Sequence, residues 1–137
     1  MAHDYPLLVA AAALIDGAGR VLVQQRPAGK GHGGLWEFPG GKLEPGETPE
    51  AALARELAEE LDVVVAPADT APLCFASGPA GDRPLLLLLY LVRRWTGEPR
   101  ALEAADLRWV GLEALSVLPM PPADRPLVDA LRPLVAG

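Results

Sequence analysis

The apolar positions of this chain fall into short runs separated by turn-forming residues, the spacing of strands and short helices packed in layers. Leu7 to Ile15 is almost continuously apolar, and Val21 to Gln25 follows across Asp16-Gly17-Ala18-Gly19, so these two segments predict a β-hairpin. Pro27 to Gly34 holds four glycines and one proline in eight residues and reads as a loop. Leu35 to Phe38 reads as a short strand, and Pro39-Gly40-Gly41 as a further break. Leu73 to Ala76, Leu85 to Arg93 and Leu107 to Val110 complete the expected strands. The run beginning at Leu85 contains five consecutive leucines, yet it is far short of the ~20 residues a membrane-spanning helix requires. Like Leu7 to Ile15, it reads as a strand buried on both faces.

Two segments carry helical periodicity. Thr48 is a favourable N-cap, Pro49 occupies the first helical position, where its missing N–H costs nothing, and Glu50 lies beside the positive dipole end. This predicts a helix from Pro49 to Leu61. At about 100° per residue with Glu56 at zero, Glu59 falls near −60° and Glu60 near +40°, while Leu57, Ala54, Leu61 and Ala58 fall between about 100° and 200°. One side is acidic and the other apolar. A closing helix is expected over Asp124 to Leu134, with Pro126 near its start. The mixed order of strands and helices predicts an α/β domain in which a sheet is covered by helices on both faces.

Composition narrows this picture. With 137 residues the chain amounts to one ordinary domain that buries about two thirds of its unfolded surface, and no repeat or linker divides it. The single Cys74 has no partner for an internal disulfide and reads as a small buried hydrophobe, which fits a reducing cytoplasm. Leu7 to Ile15 is preceded by His3 and Asp4 instead of basic residues, so it does not read as a secretion signal, and no membrane association is expected. The net charge of −6 is concentrated: between Gly41 and Val63 seven acids face only Lys42 and Arg55. That excess disfavours direct binding to a nucleic-acid backbone and points to a cation site. Glu56, Glu59 and Glu60 within one arc repel one another unless a hard cation such as Mg²⁺ or Mn²⁺ lies among them; the bland alternative is a solvated acidic face.

The wider spacing favours the cation. Gly41, five residues, Glu47, seven residues, then Arg55-Glu56-Leu57-Ala58-Glu59-Glu60-Leu61-Asp62-Val63 resembles the Nudix box, G-x5-E-x7-R-E-U-x-E-E-x-G-U, where U is a bulky apolar residue. Six specified residues and two apolar positions agree, a coincidence with a probability on the order of 10⁻⁸ at a given start. One position departs: Asp62 stands where the family has glycine. A helix-ending residue in the left-handed conformation suits glycine best, and Asp tolerates it at a cost of ~1 kcal/mol. Val21 to Arg26 and Gly34 to Lys42 resemble the lead-in of the MutT branch of the family, and Arg93 to Pro99 and Pro122 to Leu127 its later segments.

The resemblance implies a single Nudix domain over residues 1–137, with the box at 41–63 forming loop, helix and loop. It implies a Mg²⁺-dependent hydrolase, with Mn²⁺ as a possible substitute, that cleaves a nucleoside triphosphate to the monophosphate and pyrophosphate and acts as a monomer or homodimer. Its metal ligands map onto Glu56, Glu59, Glu60, the Gly40 carbonyl and Glu103. Any of Glu56, Glu59 or Glu103 could serve as general base. Arg55 and Glu47 would form a supporting ion pair that fixes the loop against the helix. Arg26 and Lys42 are candidates for phosphate contacts, and Glu37, Phe38, Pro39 and Gly40 for the walls of the substrate cleft.

The base is less narrowly specified. Phe38 reads either as core or as a wall of a purine pocket. Asp124 reads either as the N-cap of the closing helix or as the residue facing the base. An ionised carboxylate only accepts, which suits the adjacent donors N1–H and N2–H₂ of guanine and favours 8-oxo-dGTP as substrate. A branch of the family that cleaves CTP also carries Asp in a similar Pro-Ala-Asp context, and CTP or a modified dCTP is the alternative. A Nudix domain that only binds nucleotide would be expected to lack a box carboxylate, and none is missing here. Trp36, Trp95 and Trp109 read as packing or rim residues, and His3 and His32 show no ligand spacing.

Overall fold

The computed structural model describes residues 5–137; His3 and Asp4 lie outside them. Seven strands follow one another as β1 (Leu7–Leu14), β2 (Val21–Gln25), β3 (Trp36–Glu37), β4 (Gly40–Lys42), β5 (Thr70–Ala80), β6 (Arg83–Val92) and β7 (Asp106–Val110). The helices are α1 (Pro49–Leu61), α2 (Leu112–Val117) and α3 (Arg125–Leu131), with a 3₁₀ turn at Pro67–Asp69. The strands form a four-stranded mixed sheet in the order β4-β1-β6-β5 and a three-stranded antiparallel sheet in the order β3-β2-β7. No helix among the described residues is long and apolar enough to cross a membrane.

Period-two alternation in β1 builds both halves of the core. Ala10, Ala12 and Leu14 pack with Leu53, Leu57 and Leu61 of α1, while Ala11, Ala13 and the following Ile15 pack with Leu115 of α2 and Leu127 and Leu131 of α3. Alanines in the central strand let a helix approach from each face. The mixed sheet is therefore covered on both sides, as the alternation of strands and helices predicts. Leu57 is fully buried, and its replacement by alanine should cost about 2–5 kcal/mol.

The expected hairpin between β1 and β2 does not form. Only Ile15 and Val21 make an isolated bridge. A strand has two edges, and those of β1 are taken by β6, through eight parallel register pairs, and by β4. β2 therefore crosses to the other sheet. The Asp16 carboxylate holds the turn, accepting from the backbone N–H of Ala18 at 3.0 Å and Arg20 at 2.8 Å. Other elements also differ from expectation: β5 runs from Thr70 to Ala80, beyond the expected Leu73 to Ala76. Gly40-Gly41 belongs to a strand, the closing helix stops at Leu131, and the short α2 carries no cap or long periodicity to announce it. The tryptophans are packing residues: Trp95 and Trp109 stack with centroids 5.8 Å apart, and the Arg108 guanidinium lies 4.7 Å above the Trp36 ring.

Candidate active site

Helix α1 starts and stops as its end residues dictate. Thr48 accepts a hydrogen bond from the Ala51 N–H at 3.1 Å, and Pro49 follows it. Asp62 ends the helix at φ 60° and ψ 37°, the left-handed conformation expected there, with its N–H bonded to the Ala58 carbonyl. Arg55 then ties the preceding loop to the helix. Its Nε and Nη2 donate to the two Glu47 carboxylate oxygens at 2.8 and 2.9 Å, and Nη2 also reaches the Lys42 carbonyl at 3.1 Å. The guanidinium draws the Glu47 carboxyl down to about 2.

The buried arc of α1 is shifted from the apolar side expected over Leu57, Ala54, Leu61 and Ala58: Ala58 is exposed, whereas Ala52 and Leu53 are buried, Leu53 at about +60° beside Glu60. Glu60 is therefore drawn inward and is only 6% exposed. Burial pushes its carboxyl up to about 8, with Glu56 and Glu103 adding like charge and the Gln24 hydrogen bond opposing. Glu56, next along the same face, is also raised, first by burial. Glu59 is the exposed member of the set. Its Oε2 and the Glu56 Oε1 both lie 3.5 Å from Arg55 Nη1, so Glu59 flanks Glu56 on the solvent-exposed rim of the acid cluster while Glu60 is its buried member.

Glu56 and Glu60 line an open cleft of about 480 Å³ together with Glu103, Glu37 and Glu44. Backbone bonds from Leu102 N–H to the Glu60 carbonyl and from Ala105 N–H to the Gln25 carbonyl bring the Glu103 loop to it. Lys30, Lys42 and Arg26 supply positive charge to the same cleft, where Arg26 Nη1 pairs with Glu37 at 3.0 Å. Arg26, Glu37, Gly40, Gly41 and Lys42 also line a neighbouring cavity of about 310 Å³ with mainly apolar walls. Phe38 is buried in the core and also lines that cavity. Asp124 also lines the cavity, and its side chain does not act as the expected N-cap. It holds helical backbone angles and its side chain caps nothing; instead Oδ2 accepts from the Phe38 N–H at 3.4 Å.

A model of the NUDIX domain matches residues 5–131. The chain belongs to the NUDIX domain family. The 8-oxo-dGTP diphosphatase of Haemophilus influenzae is 37% identical over 123 residues, covering 90% of this chain and 89% of that enzyme. The CTP pyrophosphohydrolase of Escherichia coli is 36% identical over 126 residues and 92% of both chains. The solution structure of the E. coli ORF135 protein superposes with a TM-score of 0.84 at 34% identity, covering 98% of this chain and 94% of that one.

Nudix hydrolases generally use a divalent metal, and the residues present fit one. A Cβ on Gly41 would overlap the Glu56 carboxylate, and one on Gly40, at φ 152°, would overlap the Ala10 carbonyl, so Gly41 lets β4 lie against Glu56 and Gly40 lets it lie against β1. Glu56, Glu60 and Glu103 are hard oxygen donors whose mutual repulsion a cation would relieve. Among the described residues no three acidic, His or Cys side chains close into a ready cage, so the donors surround an open cleft.

Two lining residues escape a reading of the Nudix box alone. Lys30 is the one cation within the glycine-rich loop, a signal available in the sequence. Gln24 occupies an inward position of β2, where a polar residue interrupts an apolar strand, and it is 5% exposed.

Proposed function

We propose that this protein is a Mg²⁺-dependent nucleoside triphosphate pyrophosphohydrolase acting on 8-oxo-dGTP, releasing the monophosphate and pyrophosphate. The observation that carries this reading is the adjacency of an acid corner, a set of cations and an apolar cavity sharing one wall. Glu56, Glu60, Glu103 and the Gly40 carbonyl would hold the metal. Glu59 would join them by leaving Arg55, an exposed pair worth little. When bound, Mg²⁺ neutralises triphosphate charge and acidifies water for in-line attack. Lys30, Lys42 and Arg26 would bind the phosphate oxygens, and one of Glu56, Glu59 or Glu103 would take the proton of the attacking water. Phe38 and its apolar neighbours would receive the base, with Asp124 facing its polar edge.

A second reading, cytosine, is favoured by one observation. Burial, reinforced by Glu37, raises the Asp124 carboxyl to about 7, near neutrality. Ionised, it accepts from the two donors of guanine; protonated, it donates and accepts, matching N3 and N4–H₂ of cytosine. We place the activity in the cytoplasm, on free nucleotide, in one Nudix domain that works as a monomer or homodimer. Incubation with a panel of oxidised and normal triphosphates tests the function. Stoichiometric monophosphate and pyrophosphate with the highest kcat/KM on 8-oxo-dGTP is expected; orthophosphate release, or preference for CTP, would contradict the primary reading.

A further inference from the structure

Gln24 spends its whole side chain inside the protein. Its Nε2 donates to Glu60 Oε1 at 2.8 Å and makes a second, longer contact with Glu37 Oε2 at 3.4 Å. Its own Oε1 is buried with no hydrogen-bond partner. With the amide NH₂ facing the Glu60 and Glu37 carboxyls, the Gln24 oxygen is the atom left facing the interior. A buried acceptor without a donor is a standing cost that an aliphatic residue at this inward position of β2 would remove. The cost is retained where the amide reaches a carboxylate lining the cleft.

From this geometry we infer that Gln24 is a positioning residue: its amide fixes the Glu60 carboxylate in the orientation that receives the divalent cation, and links it to the Glu37–Arg26 pair on the nucleotide side of the cleft. The inference rests on the proposed metal-holding role of Glu60. The chain of contacts runs from Glu60 through Gln24 to Glu37, then to Arg26, whose Nε is tied to the Gly31 carbonyl at 2.6 Å. One Glu60 oxygen is held by the amide, leaving the other for the metal. Partners of this kind typically contribute 10- to 100-fold to metal affinity by restricting the ligand's orientation.

The test uses Gln24→Met, which keeps the length without hydrogen bonds, and Gln24→Leu as a second variant should the first not fold. Mn²⁺ binding to the full chain without nucleotide is followed by the loss of the free-ion paramagnetic resonance signal, with thermal melts alongside. A cooperatively folded variant whose Kd for Mn²⁺ rises more than fivefold is the expected result. A smaller rise in a folded variant overturns the inference, because a residue that only fills space would change the melt and not the affinity. Glu60→Gln serves as the reference. Weakened Mn²⁺ binding there with unchanged binding in Gln24→Met defeats the positioning role alone; unchanged binding in Glu60→Gln defeats the metal-site reading beneath it.

Discussion

The backbone N–H of Phe38 donates to Asp124 Oδ2 across 86 residues of chain, joining the turn before β4 to the start of α3. This places a carboxyl at the apolar cavity in a position that favours its neutral form. Burial is the main cause, Glu37 adds to it, and the Phe38 N–H, Arg26 and Arg125 oppose it, leaving the group at about 7 against an ordinary 3.8.

The folded protein holds the Asp124 proton more tightly than the unfolded chain, so folding is not penalised below about pH 4, loses stability as pH rises towards 7, and carries the full penalty above it. Asp124→Asn keeps an acceptor for Phe38 and removes the ionisation. It should therefore be more stable than the parent at pH 8, by up to about 4 kcal/mol, and nearly equal at pH 4. Urea unfolding at the two pH values checks this, and a difference independent of pH would reject it.

Base preference should titrate with the same group. As pH rises from 6 to 8, the ratio of kcat/KM on 8-oxo-dGTP to that on CTP should rise, because the ionised carboxylate only accepts. In Asp124→Asn the ratio should be flat over this range. A parallel slope in both proteins would assign base selection to another residue.

Gly41 is the position where a single methyl group bears on chemistry. Its Cβ would overlap the Glu56 carboxylate, whose displacement in Gly41→Ala should lower kcat by ~100-fold with the fold retained. Steady-state rates with circular dichroism distinguish this from unfolding. Wild-type kcat would mean that Glu56 need not occupy its present position.

Asp62→Gly should be neutral to slightly stabilising, by up to about 1 kcal/mol, since the left-handed angles suit glycine and the pair with Arg100 is exposed. Thermal melts and Mn²⁺ titration suffice. A large change in metal affinity would make Asp62 a ligand and refute its role as a helix end.

These variants also mark what the sequence could reveal. Helix α1 is legible to the residue because Thr48, Pro49 and Asp62 are local signals. The β1–β2 connection is not, because the outcome depends on β6 and β4 competing for the edges of β1, and partner choice is non-local. The box glutamates are visible as a set, but their separation into buried Glu60 and exposed Glu59 follows from burial of Ala52 and Leu53 where Leu57, Ala54, Leu61 and Ala58 were the expected apolar side. Asp124 had the composition of a cap and the position of one; only tertiary contact with Phe38 assigns its oxygen elsewhere.

If carboxylates of the Nudix helix hold the metal that enables pyrophosphate release, removing one carboxylate charge abolishes turnover without unfolding the chain. Pyrophosphate formation from 8-oxo-dGTP is to be measured at saturating Mg²⁺ for the parent, Glu56→Gln and Glu60→Gln, each with a thermal melt. Both variants should fold, because each replaces a carboxyl whose ionisation burial already disfavours. Both should lose at least about 100-fold in kcat, equivalent to ~2.7 kcal/mol of transition-state stabilisation. Rates within threefold of the parent in folded variants would contradict the account.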